Sequence, residues 1–232
     1  MLMAGRPLVF NWTADHVPAI LYTWWLGNQA GNAMADVLFG NYNPAAKLPI
    51  TFPRSEGQIP IYYNHLNTGR PKSDPIGMGA TKPDPYYVTG YLDEKNEPLY
   101  PFGYGLGYTA FSYFPAKLKE SRLSARDLNG GSAAFTVGAE VRNSGEREGT
   151  ETVQLYIRLR GTSVSRPVRE LKAFQKVHLA PGETRHVEFK LSRDDLSFWN
   201  AEMRHVVEPC SLYVWVAPDS SSGEPAVAEI AE

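Results

Sequence analysis

The 232 residues carry 23 Lys and Arg against 25 Asp and Glu, a net charge of −2, which excludes the concentrated basic face of a nucleic-acid binder. With 43% hydrophobic, 12% aromatic and 21% charged residues the chain is not of disordered composition, and no apolar run approaches the roughly 18 residues of a membrane helix. One cysteine, Cys210, excludes an internal disulfide and a cysteine-built metal site.

The first forty residues read as α/β. Ala19 to Trp25 (AILYTWW) is apolar on both faces and predicts a buried strand. Gly27 to Gly31 breaks it, and Asn32 to Phe39 carries Ala33, Val37 and Leu38 at helical spacing, with Gly40 as the stop. A parallel sheet needs several strands and cover on both faces. At most two short apolar runs are present here, so residues 1–40 are expected to be the end of an α/β unit whose earlier strands lie elsewhere.

Residues 41–110 differ. Prolines at 44, 49, 53, 60, 71, 75, 83, 85, 98 and 101 leave no long periodic run, which predicts an extended, loop-rich stretch. Its aromatic residues suit packing between two domains better than a free linker. From about residue 112 the pattern turns all-β. Phe135, Val137, Ala139 and Val141 alternate, and so do Val153, Leu155, Ile157 and Leu159. In the second run Gln154, Tyr156, Arg158 and Arg160 fall on the opposite face, which is expected to be solvated. Further sets lie within Val168 to Leu179, at Val187, Phe189 and Leu191, and at Leu212, Val214 and Val216. Turn signals at Asn143-Ser144-Gly145, Pro181-Gly182-Glu183 and Glu208-Pro209 separate them, giving a β-sandwich of about 120 residues that could fold alone.

Three runs carry a family resemblance: the 24–71 segment with ADVLFG, KLPITFP and YYNHLNTGRP, the 99–111 segment LYPFGYGLGYTAF, and SRPVRELKAFQKVHLAPGET at 165–184. In this order they resemble the C-terminal part of glycoside hydrolase family 3 enzymes, with the strongest likeness to bacterial periplasmic β-glucosidases. The resemblance implies an α+β two-part chain: residues 1–70 as the C-terminal part of an α/β sandwich domain, 71–111 as a loop-rich connector, and 112–232 as a fibronectin type III-like β-sandwich. It implies hydrolysis of terminal β-linked glucose with retention. In such enzymes the nucleophilic Asp lies in an upstream barrel and the acid/base Glu on a loop before the GRP motif, here Gly5-Arg6-Pro7. No catalytic residue is therefore expected in this chain, which is expected to be inactive alone. The alternatives are a separately encoded carbohydrate- or protein-binding module and one half of a split enzyme. The implied partners are a β-glucoside or oligosaccharide and the N-terminal barrel and sandwich segments, with no nucleic acid and no membrane. The first ten residues show no signal-peptide pattern, so a periplasmic or secreted location is expected only through a leader of the parent enzyme.

Retaining hydrolysis needs two carboxyl groups about 5–5.5 Å apart with separated pKa values. Asp15, Asp36, Glu56, Asp93 and Glu94 all read as turn, cap or solvated carboxylates. The five histidines form no HxH or HxxxH pair, so no metal or other cofactor is expected. Cys210 reads as buried and inert. The candidates for a substrate rim are Trp25 and Gln29, where an open α/β sheet places its ligands, and Tyr63, His65 and Arg70 in a polar-aromatic loop. Trp24 is expected in the core.

Overall fold

The computed structural model describes residues 1–68, 70, 71 and 88–232. Gly69 and the 72–87 part of the expected connector lie outside the described residues.

Two sheets form the sandwich. One is built on the central strand β4 (Phe135–Asn143), which pairs with β7 (Thr184–Leu191) on one edge and with the short β1 (Phe111–Tyr113) and β2 (Lys117–Leu118) on the other. The other runs β3 (Arg122–Ser124), β11 (Ala226–Ala231), β10 (Cys210–Ala217), β5 (Gly149–Arg160), β6 (Glu170–Leu179). All its pairings are antiparallel except β3 with β11. β8 (Phe198–Trp199) and β9 (His205–Val206) pair separately. The alternating apolar residues of β4, β5, β7 and β10 meet between the sheets, with Phe135, Val137, Leu155, Ile157, Leu191 and Leu212 fully buried. Burial of each such aliphatic side chain contributes roughly 1.5–3 kcal/mol. The period-2 reading of this core agrees with the structure residue by residue.

The N-terminal part holds α1 (Asn11–His16) and α2 (Ala30–Leu38). The predicted helix at Asn32 to Phe39 is α2, shifted by two residues at its start. Its last turn closes through the Phe39 N–H onto Ala35 O, and Gly40 follows at φ +79°. The predicted strand at Ala19 to Trp25 does not form. Its backbone pairs only across one parallel bridge, Leu2 with Tyr22, and Trp24 sits at φ +55°, which ends the extended path. A strand needs a ladder of partners, and apolar content alone does not supply one. The aromatics pack around Phe52 instead, which is 1% exposed. Phe10, Tyr22, Trp24 and Tyr100 approach its ring with centroids 5.0–6.5 Å away. Trp24 is thus a half-buried packing residue.

Candidate functional site

Asn43, Ala45, Tyr63, Phe102 and Gly103 lie against β5, β6 and β10, on the sheet face away from the inner core. Gln154 Nε2 donates to Gly103 O at 3.1 Å and also to Pro218 O. Thr152 Oγ1 donates to Ala45 O at 2.9 Å, and Asn43 Nδ2 to Glu148 O at 2.8 Å. Asn143, fully buried, donates to Arg147 O and Leu179 O, while its Oδ1 accepts from Thr109 Oγ1 at 2.7 Å. The residue that reads in sequence as a turn signal also ties the connector to the sandwich.

This packing corrects the solvated face expected for β5. Tyr156 is 0% exposed, its hydroxyl donating to Gln154 Oε1 at 2.7 Å, and Arg158 is buried as well. Arg160 is half-buried and donates to Tyr213 OH at 3.4 Å. Tyr156, Trp215 and Ala217 form a second apolar cluster, closed by Tyr63, Phe102, Leu171 and Tyr213. Alternation identified which residues share the face, but solvent does not occupy it. Tyr156 therefore cannot anchor a glycan on an open sheet. Burial, and then the neighbouring Tyr63 and Asp219, push its phenol above the ordinary range.

The candidate rim residues fall in separate places. Trp25 is 81% exposed, with its indole against Gly5, where a Cβ would come within 3.1 Å of Trp25 Cε2. Gln29 is the N-cap residue of α2, and its Oε1 accepts from Asn32 Nδ2 at 2.6 Å. Gln29 lines an open depression with Leu26, Gly27, Asn28, Ala30 and Ala33, and Trp25 is not among its lining residues. Tyr63 stacks on Phe102 at 4.3 Å and 15°, and its hydroxyl accepts the Leu171 N–H at 3.3 Å. His65 is exposed, with Nδ1 3.0 Å from Leu66 O, and its carbonyl accepts the Val168 N–H at 2.9 Å. Arg70 is exposed, and its carbonyl accepts the Thr89 N–H at 2.7 Å. Tyr63 and His65 lie together on the segment that meets Val168 and Leu171, while Trp25 lies apart from them against Gly5, and Gln29 at the start of α2.

Among the described residues the buried carboxylates are Glu151 and Asp219. Glu151 pairs with Lys47 Nζ at 3.0 Å and accepts from Tyr113 OH at 2.7 Å. Burial, and then the Glu151 charge, hold the Tyr113 phenol above its ordinary range. Asp219 accepts from the Ser221 N–H and from the Ser221 and Ser222 hydroxyls, at 2.8–2.9 Å. Both carboxylates are held by structural donors. Asp36 is exposed, with Oδ1 3.3 Å from Asn41 Nδ2, and Glu56 begins a 3-10 turn at Glu56–Gln58. Among the described residues no group of three or more His, Cys, Asp or Glu could hold a metal ion, and no helix is long and apolar enough to cross a membrane.

Sequence reasoning missed Arg169. Its guanidinium lies 4.2 Å from the Trp215 ring centroid and 5.7 Å from that of Tyr156, and Nη1 donates to Ser220 O and Ser222 O. Burial lowers its pKa to about 10, against the pull of Tyr156 and Asp219, so it stays cationic at neutral pH. Its surroundings come from three distant segments, and no local pattern marks them.

Residues 1–108 match the Glycosyl hydrolase family 3 C-terminal domain, and residues 151–220 the Fibronectin type III-like domain. The chain is 46% identical over 221 residues to the periplasmic beta-glucosidase of Salmonella typhimurium, covering 95% of this chain and 27% of that protein. It is 40% identical over 224 residues to a beta-xylosidase of Formosa agariphila, covering 97% and 28%. The beta-glucosidase of Listeria innocua in complex with glucose superposes with a TM-score of 0.87 at 39% identity, over 100% of this chain and 30% of that one. The chain thus spans less than a third of the length of each of these proteins.

Proposed function

We propose, for a chain that belongs to glycosyl hydrolase family 3 through its C-terminal domain and the fibronectin type III-like domain after it, a scaffold role in the retaining hydrolysis of terminal β-linked glucose. The observation that carries this reading is the state of the carboxylates. Among the described residues the buried ones are held by Lys47, Tyr113 and serines, which supports taking the nucleophile and the acid/base from polypeptide outside this sequence. The exposed Trp25, Phe39 and Trp12 then face the barrel and the earlier strands of the α/β sandwich domain. Trp25 and Gln29, with His65 and Arg70, line the approach to the sugar, the Trp25 indole offering a face and the polar groups hydrogen bonds, while Tyr63 supports the His65 loop from its stack on Phe102. Division at residues 70 and 111 separates the α/β part, the connector and the sandwich. A periplasmic or secreted setting is supported by the periplasmic relative.

The test is an assay of the purified chain on aryl β-glucoside and aryl β-xyloside, alone and mixed with a family 3 N-terminal fragment that ends just before GRPLVF. Activity is expected only in the mixture. Activity of the chain alone, abolished by a change at one of its own carboxylates, would refute the scaffold reading.

A further inference from the structure

A chain of contacts closes a ring around the start of β6. Arg169 Nη1 donates to Ser220 O at 2.7 Å and to Ser222 O at 3.0 Å, holding the loop after β10. In that loop the Ser220 N–H donates to Phe102 O at 2.9 Å. The Phe102 ring stacks on Tyr63 at 4.3 Å, and the Tyr63 hydroxyl accepts the Leu171 N–H at 3.3 Å. Two residues beyond Tyr63, the His65 carbonyl accepts the N–H of Val168, the neighbour of Arg169, and Leu66 forms an isolated bridge with Pro167. The path leaves the residues just before β6 at Arg169 and returns to them at Val168.

We propose that Arg169 is a positioning residue that fixes the polar-aromatic loop carrying His65 by clamping the loop after β10, through Ser220, Phe102 and Tyr63. The geometry suits this role better than general stabilisation. The guanidinium is 7% exposed, stacked on Trp215, and its donors reach backbone carbonyls of a loop that itself touches the connector. An Arg at such a site combines ring stacking with directional donation, which a lysine ammonium does not reproduce. The inner core between the sheets takes no part in the ring, so the loop can loosen while the sandwich stays folded. Any consequence for turnover rests on the proposed reading of the His65 loop as part of the substrate rim. The clamp itself does not.

Hydrogen–deuterium exchange on the full chain tests it. In Arg169→Ala, exchange at the Val168, Leu171 and Ser220 amides, which donate to His65 O, Tyr63 Oη and Phe102 O, is expected to rise by about tenfold or more, while amides of β4, β7 and the centre of β10 keep their wild-type rates. Arg169→Lys should recover only part of the protection. Unchanged exchange at those three amides, or a uniform rise through the core strands, would overturn the clamp. Should Arg169→Ala fail to fold, Arg169→Gln carries the same comparison and the same two overturning results. In the complemented mixture, a raised KM with little change in kcat accompanies loop loosening if the rim reading holds. Loosening with an unchanged KM removes the rim reading and leaves the clamp standing.

Discussion

Lys47 Nζ and Glu151 Oε1 lie 3.0 Å apart across 104 positions of sequence, with side chains only 11% and 6% exposed. The ammonium also donates to Gly105 O at 3.2 Å, and Tyr113 OH donates to the same carboxylate oxygen. One ion pair thus joins the 1–70 part, through Lys47, and the connector, through Gly105, to both sheets. Removing one partner of a buried pair strands the other charge, which costs about 3–5 kcal/mol. Lys47→Ala is expected to lose stability in that range, and the double change Lys47→Met with Glu151→Gln markedly less. Urea unfolding of Lys47→Ala and of the double variant measures both, and a loss below about 1 kcal/mol for Lys47→Ala would contradict the coupling.

Tyr156 is the largest fully buried side chain on the outer sheet face. Tyr156→Ala is expected to cost about 3–5 kcal/mol, in line with large-to-small changes at buried aromatic sites. Tyr156→Phe keeps the ring but leaves Gln154 Oε1 without its donor, for about 1–3 kcal/mol. Chemical denaturation reads both. A surface tyrosine would show neither loss.

Gly103 sits at φ +81°, and a Cβ there would come within 2.7 Å of Tyr156 Oη, with Gln154 Oε1 nearer still. Gly131, at φ +71°, has open space around its Cβ direction. Both alanine variants carry the left-handed backbone penalty of about 1–2 kcal/mol, but only Gly103→Ala must also displace the buried Gln154–Tyr156 pair. Melting temperatures of the two variants should separate clearly, with Gly103→Ala the lower. Equal values would mean that the connector yields freely at this contact.

Burial, then the charge of Glu208, push the Cys210 thiol up to about 12. The folded protein therefore holds the proton where the unfolded chain, with a pKa near 9.0, releases it. The contribution to stability is complete below pH 9 and is lost as pH rises toward 12. Reaction with an aromatic disulfide reagent at pH 8 is expected to be slow in buffer and fast in urea. Cys210→Ala should show a shallower loss of stability across the alkaline range. Rapid labelling of the folded chain at pH 8 would place the thiolate in solvent and defeat this expectation.

The covered sheet face also bears on the minimal folding unit. Residues 112–232 taken alone expose Tyr156, Trp215 and Leu171, which Tyr63 and Phe102 otherwise shield. That piece is expected to bind a hydrophobic dye and to melt below a piece spanning 43–232. Equal melting temperatures without dye binding would show the sandwich to be self-sufficient.

Residues such as Val153, Leu155 and Ile157 announced the inner core because side chains of a strand alternate between two faces, and period 2 survives in the sequence. The same alternation placed Tyr156 and Arg158 on the far face but carried no information about what lies beyond it. At AILYTWW the apolar content was legible, but whether a strand forms depends on partner backbone, and here the aromatics pack around Phe52 instead. The candidate rim residues were legible as residue types and not as a group, since Trp25 and Tyr63 share no local period.

By itself, then, the sequence determined the two-layer β core, the turns at Asn143 and Gly182, the helix at α2 and the family motifs, because each rests on short-range periodicity or on contiguous residues. Only the tertiary structure decided that the outer face of β5 is covered, that Lys47 meets Glu151, and that Arg169 clamps the loop after β10. Those contacts join segments tens to more than a hundred residues apart, and burial of a polar or aromatic side chain depends on what packs over it rather than on its neighbours in sequence.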